Sequence, residues 1–309
     1  MFTTIGFAAV TVAPIFILIF IGILLRQSGL ISKEFITTAS KIVFRLALPA
    51  MVFSKMSKVR EIPDALIGVT LLFAGVTVIV FIILWLSAGK LPAVTHGSFV
   101  QGAFRGNIAI IGLAVIENAF GLEALQAGVV ILMVMMPLYN LLAVIVLSRS
   151  SAVQGGNILK QVLLNLIKNP LIWAIAIGLP FGLHNIHMPV VVQRTLNYLS
   201  QLAMPLALIS IGGSLTLRGL MQRRFLWITA SAVKLFVLPL IVFAGTALFG
   251  ISGNVRAAVV AASACPTAVS SFAMAEAMGA DGELSGEIIS ATTLFSVFTF
   301  TFWIVLLMS

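Results

Sequence analysis

The sequence predicts an all-α integral membrane protein of ten transmembrane helices, arranged as two inverted five-helix repeats with helices four and nine interrupted. Three observations carry this expectation. Hydrophobic residues make up 61% of the 309 positions and charged residues 9%, with a mean hydropathy of +1.18, against roughly 25% charge in a soluble domain. Pro14 and Pro49 lie 35 residues apart, Pro170 and Pro205 lie the same distance apart, and the two pairs are offset by 156 residues. Helix-interrupting residues recur at matching places in the fourth and ninth apolar segments.

A helix needs about 20 apolar residues to cross a hydrocarbon core about 30 Å thick. Ten segments qualify: 8–25, 35–55, 66–88, 98–117, 124–147, 166–183, 190–215, 226–249, 255–277 and 286–308. They lack the strict alternation of a membrane barrel, so helices are the economical way to pair their backbone groups. The first segment follows an uncharged stretch and precedes Arg26, which reads as a retained helix entering from outside rather than a cleaved signal. Segments two and seven contain Leu46-Ala-Leu-Pro49 and Leu202-Ala-Met-Pro205; each proline removes an intrahelical bond and bends its helix. Gly212 and Gly213 suit close helix packing.

The 156-residue offset holds without a gap from 14–54 against 170–210, pairing Gly22 with Gly178 and Ser54 with Ser210. The repeat restarts after five crossings, an odd number, so the second copy enters from the opposite side. The longest polar stretch, 148–160, contains Gly155 and Gly156 and reads as a cytoplasmic linker between a first repeat at 1–147 and a second at 161–309.

Inverted repeats are typical of secondary transporters, in which substrate binds near the midplane between discontinuous helices. Segment four contains Arg105, Gly106, Asn107 and Ile108; segment nine contains Cys265, Pro266, Thr267 and Ala268. An offset of 158 aligns Gly121 and Gly128 with Gly279 and Gly286, and Asn107 with Cys265. Gly106 is permissive, Asn107 is a good N-cap, and Pro266 suits the first turn of a new half-helix. The N–H groups of residues 108–110 and 267–269, at the positive ends of half-helices, are expected to be free to hold a carboxylate, with the Ser270 and Ser271 hydroxyls close by. Counted from Ser98, Arg105 lies about 10 Å into the membrane, where a cation must face protein or water unless it snorkels. Lys41, Arg45 and Lys234 fall in inner helix halves, which predicts an inner vestibule attractive to organic anions.

The net charge of +9 is dispersed through short loops, which speaks for membrane orientation rather than nucleic acid. With the first helix entering from outside, nine basic residues fall in inner loops and five in outer ones, favouring both termini outside. The single Cys265 excludes an intramolecular disulfide and offers no metal cluster, no cofactor is expected, and His96, His184 and His187 read as solvated loop residues.

At these residues the chain resembles the auxin efflux carrier family, which includes bacterial permeases. The resemblance covers nearly the whole chain. It rests on the Leu-Ala-Leu-Pro49 block, on Gln101 to Asn107 with Ile111 and Gly112, on Lys168-Asn169-Pro170, on the Pro205 block leading to Ile211 and Gly212, and on Cys265-Pro266-Thr267-Ala268. It implies a scaffold part and a transport part, helices four and nine crossing at their breaks around the substrate, an elevator motion, and carriage of carboxylate anions such as auxin, malate or malonate. In the plant carriers an asparagine at each crossover helps hold the carboxylate. Asn107 fits the first position and Cys265 departs from the second. The short linker resembles the bacterial members, which places the chain in an inner membrane.

The reading is therefore a permease for a small mono- or dicarboxylate. A sodium-coupled symporter of the bile-acid type and an anion channel are the alternatives. Glu117 and Glu276, near the ends of helices four and nine, are the candidates for proton or ion coupling, and a homodimer is left open. No serine–histidine or paired-aspartate arrangement at helix depth points to an enzyme.

Overall fold

The computed structural model describes residues 2–60, 64–149, 167, 170–215 and 223–308. These residues are helical almost throughout. In chain order the helices are α1 (Phe2–Gln27), α2 (Lys33–Ile42), α3 (Leu48–Met56), α4 (Asp64–Ser87), α5 (Ala93–Phe104), α6 (Leu113–Ser148), α7 (Pro170–Leu183), α8 (Val190–Ser214), α9 (Arg224–Ala232), α10 (Leu238–Leu248), α11 (Gly253–Ser263), α12 (Ser270–Ala277) and α13 (Gly282–Met308). Wide π-helical turns at Val43–Ala47, Ile108–Gly112 and Val233–Val237 lead into α3, α6 and α10.

Six helical stretches among the described residues are long and apolar enough to cross a membrane: Gly6–Gln27, Lys33–Met56, Asp64–Ser87, Ile108–Ser148, Arg224–Leu248 and Gly282–Met308. The difference from the ten expected has local causes. Segments four and nine are cut into short pieces. The second piece of segment four and segment five follow each other directly within Ile108–Ser148, separated by non-helical backbone at Gly121 (φ 79°, ψ −166°). Segment seven, α8, carries Gln193, Arg194, Asn197 and Gln201. Segment six is described only from Pro170 onward, apart from Ile167, so Lys168 and Asn169 lie outside the described residues, as do linker residues 150–160.

The prolines explain two of the π turns. Pro49 and Pro239 each stand two residues beyond one, in Val43-Phe-Arg-Leu-Ala-Leu-Pro49 and Val233-Lys-Leu-Phe-Val-Leu-Pro239. A proline ring clashes with the preceding turn and leaves one carbonyl without its N–H partner; a widened turn relieves the clash. The carbonyl that Pro239 would leave bare is that of Leu235, and it accepts the indole N–H of Trp303 at 2.9 Å. Pro205, by contrast, sits inside an unbroken α8.

The chain divides into two compact units, one of Ala13–Asp64 and Leu163–Ser214, the other of Met1–Val12, Ala65–Val162 and Leu215–Ser309. Each unit draws on both halves of the sequence. In the smaller unit glycines bring backbones together. A Cβ on Gly22 would lie 2.2 Å from the Ile209 carbonyl oxygen, and one on Gly212 would lie 1.9 Å from that of Ile19. Gly178 meets Phe53 in the same way, at 3.0 Å. The contact of Gly22 with Ile209 thus becomes that of Gly178 with Phe53 when each residue is exchanged for its counterpart at the 156-residue offset. The Gly212 and Gly213 packing expected from sequence is present, Gly213 lying against Ile36. Lys41 and Arg45, also in this unit, are exposed.

The larger unit holds α4 to α6 and α9 to α13. Its core is built where α11 packs on α6 and where α13 packs on α5, α9 and α12. His96 is buried in the first turn of α5, its Nε2 3.1 Å from the Trp85 carbonyl oxygen and its ring edge-on to Trp85. The expectation of a solvated loop histidine is corrected there; His184 and His187 are exposed.

Candidate functional site

Both predicted breaks are present, and they meet inside the larger unit. Helix α5 stops at Phe104 and helical structure resumes at Ile108; α11 stops at Ser263 and α12 starts at Ser270. Between them the backbone is extended, and Gly106 pairs with Thr267 in an isolated antiparallel bridge. The Asn107 N–H donates to the Pro266 carbonyl at 2.8 Å and the Ala268 N–H donates to that of Arg105 at 3.1 Å. Backbone groups freed by two interrupted helices thus pair with one another, which is how irregular backbone is tolerated at membrane depth.

The pairing changes the expected register. Exchanging the two strands of the bridge matches Gly106 with Thr267 and Asn107 with Ala268, rather than Asn107 with Cys265. The glycine turns beyond the breaks, Gly121 (φ 79°) and Gly279 (φ 69°), do match at 158. The first repeat simply has more chain between break and turn, fifteen residues from Gly106 to Gly121 against twelve from Thr267 to Gly279.

Side chains tie the crossing down. The Thr267 hydroxyl donates to the Gly102 carbonyl at 2.6 Å, the Thr267 N–H donates to the Thr292 hydroxyl at 3.1 Å, and Gln101 Nε2 donates to the Ser271 carbonyl at 3.0 Å. Two expectations about free donors are thereby corrected: the N–H groups of Thr267 and Ala268 are occupied. Pro266 does not open a half-helix; it lies in the extended strand, four residues before α12. Asn107 stands at the N-cap position of the Ile108–Gly112 turn without a side-chain capping bond, and its amide Nδ2 is buried with no hydrogen-bond partner. The Ser271 hydroxyl is likewise buried and unpartnered, and Ser270 is half-buried. Ile108 is buried. Cys265 donates its thiol to the Ala261 carbonyl at 3.3 Å and packs on Gly112, where an added Cβ would lie 2.6 Å from its sulfur.

Arg105 is buried and points into protein rather than snorkelling. Its guanidinium donates to Asn140 Oδ1 at 2.8 Å and Gln101 Oε1 at 3.3 Å, and also to the sulfur of Met274. Because α5 begins at Ala93, Arg105 lies about 18 Å along the helix from its start, deeper than the count from Ser98 suggests. Lys234, at 0% exposure, is the residue that sequence reasoning placed only in a general vestibule. Its ammonium donates to the Ser263 carbonyl, the last of α11, at 2.6 Å. A Cβ on Gly106 would lie 3.3 Å from Lys234 Cε and Nζ and 3.4 Å from the buried Tyr139 hydroxyl. The missed signal was the Leu-Pro239 pair, which forces the π turn that carries Lys234; such turns are frequent at functional sites.

Among the described residues, no acid is a hydrogen-bond partner of Arg105 or Lys234. Glu276 is exposed against Gly282, and Glu117 is half-buried. Asp281 and Glu283, at the start of α13, pair with Arg223, Glu283 at 2.9 Å. Glu287 is buried in α13 and was missed because nothing in its neighbours marks that face of the helix. Among the described residues no three His, Cys, Asp or Glu side chains gather as a metal site.

Comparison with known proteins matches residues 7–304 to a family described as membrane transport protein. An uncharacterized transporter of Methanothermobacter thermautotrophicus is 26% identical over 96% of this chain and 97% of its own length. Another, of Methanocaldococcus jannaschii, is 26% identical over 94% of this chain and 95% of its own. A protein of Rhizobium meliloti with the provisional name malonate transporter is 28% identical over 94% of this chain and 92% of its own.

Proposed function

Since the chain belongs to the membrane transport protein family, that of the auxin efflux carriers, we propose that it is a secondary transporter of a small organic anion. The substrate is a mono- or dicarboxylate such as malate or malonate, bound where the two interrupted helices cross and carried by alternating access. The carrying observation is the crossing itself: two breaks paired by backbone bonds, flanked by buried cationic and amide donors whose hydrogen-bond partners, among the described residues, include no acid. Such donors, aimed from fixed backbone into a water-poor interior, favour an anion over a neutral or cationic solute. The name of the Rhizobium meliloti relative supports a dicarboxylate.

In this reading the unit that carries the crossing is the transport part and the glycine-packed unit is the scaffold of an elevator, in a bacterial inner membrane with both termini outside. Purified protein in liposomes is expected to exchange labelled malonate against internal malonate. Replacing sodium by another cation, and separately collapsing the proton gradient, identifies the coupling ion. Asn107→Ala is expected to abolish exchange while the protein stays folded; unchanged exchange in that variant would remove the site from the crossing.

A further inference from the structure

We infer that Arg105 and Lys234 form a two-cation site that selects a dianion, each cation taking one carboxylate, with Lys234 setting the valence. This rests on the reading of the crossing as the anion site. Both side chains are almost wholly buried, at 6% and 0% exposure. Among the described residues, the hydrogen-bond acceptors of both are formally neutral: Gln101, Asn140 and Met274 for the guanidinium, the Ser263 carbonyl for the ammonium. An ammonium has three donors, so Lys234 keeps two beyond that carbonyl, and the five donors of Arg105 exceed its three contacts.

Among the described residues, the hydrogen-bond partners of the two cations include no acid. Glu123 accepts from Asn254, Asp281 and Glu283 hold Arg223, Glu276 lies exposed against Gly282, and Glu287 has Arg223, Glu283 and Asp281 as its charged neighbours. Glu117 is half-buried beyond the break.

Two charges without counter-charge inside a membrane-embedded unit are each costly by several kcal/mol. A monoanion offsets one of them and a dianion offsets both, so the site discriminates by charge count. Geometry agrees. Arg105 is adjacent in sequence to Gly106, whose missing side chain lets the Lys234 ammonium come close to the backbone. The buried Tyr139 hydroxyl lies 3.4 Å from the same Gly106 Cβ position, and Asn107, next in sequence, carries a buried Nδ2 with no hydrogen-bond partner.

Malonate and propionate share a three-carbon chain and differ by one carboxylate, so their binding to purified protein isolates valence. Calorimetric titration at neutral pH is expected to give propionate an affinity about 100-fold below that of malonate. Lys234→Met is expected to lower malonate affinity about 100-fold and to bring the two ligands within a few fold of each other. Equal binding of both ligands by the wild-type protein, or a ratio that survives Lys234→Met, overturns the two-cation site and leaves the anion carrier standing. Binding of neither ligand, with no exchange of any carboxylate in liposomes, overturns the carrier reading itself. The wild-type ratio requires no substitution, so the test stands even where Lys234→Met does not fold.

Discussion

Thr292 is the residue through which α13 holds the crossing, because its hydroxyl accepts the Thr267 N–H and donates to the Ile288 carbonyl at 2.7 Å. Thr292→Val keeps the shape and leaves that N–H buried and unpaired, a loss of about 1–3 kcal/mol. Thermal unfolding in detergent is expected to show the drop, and Thr292→Ser to restore most of it. Gly112 makes a second test at this scale. An alanine there would collide with the Cys265 sulfur, so Gly112→Ala is expected to destabilise, and Cys265→Ala, harmless by itself, to rescue it. Additive losses would show that the two positions do not touch. Single residues were also where sequence reading was weakest. Arg105 and Asn107 stood out because a cation and an amide in a greasy helix need a reason. Lys234 and Glu287 did not stand out, since burial depends on which face of a helix meets a neighbour, and flat hydrophobicity hides that face.

At the scale of elements, the interruptions were legible because glycine and proline act through the local backbone. The register of the crossing was not, because it is set by hydrogen bonds between segments far apart in sequence. Gly121 and Gly279 end the half-helices in the left-handed region, with φ of 79° and 69°. Alanine at either position is expected to lower stability by about 1–2 kcal/mol, more than the same change at Gly68, which lies within a helix and has nothing within 4 Å of an added Cβ. The π turn at Val233–Val237 makes a complementary case. Trp303→Phe removes the donor that satisfies the Leu235 carbonyl, and is expected to cost about 1–3 kcal/mol by the same unfolding measurement.

For the whole molecule, composition was enough to read a helical membrane protein, and the proline spacing was enough to suggest a duplication. The grouping into units was beyond that reading, because each unit gathers helices from both sequence halves. The glycine contacts of the smaller unit supply a test of the duplication. Gly22→Val and Gly178→Val occupy positions that correspond at the 156-residue offset, each opposite a backbone carbonyl or its neighbours. Both are expected to destabilise severely, the overpacking having no flexible side chain to displace. Tolerance of valine at either glycine would break the correspondence.

On the proposed function, the crossing of the two interrupted helices holds the transported anion. Equilibrium binding of labelled malonate to purified protein measures this apart from translocation. Binding is expected to be saturable for the wild-type chain, to fall about 10- to 100-fold in Asn107→Ala, where one donor to a charged ligand is removed, and to be unchanged in Glu276→Gln, an exposed site outside the crossing. Malonate binding that Asn107→Ala leaves intact, or that Glu276→Gln weakens as much, would contradict it.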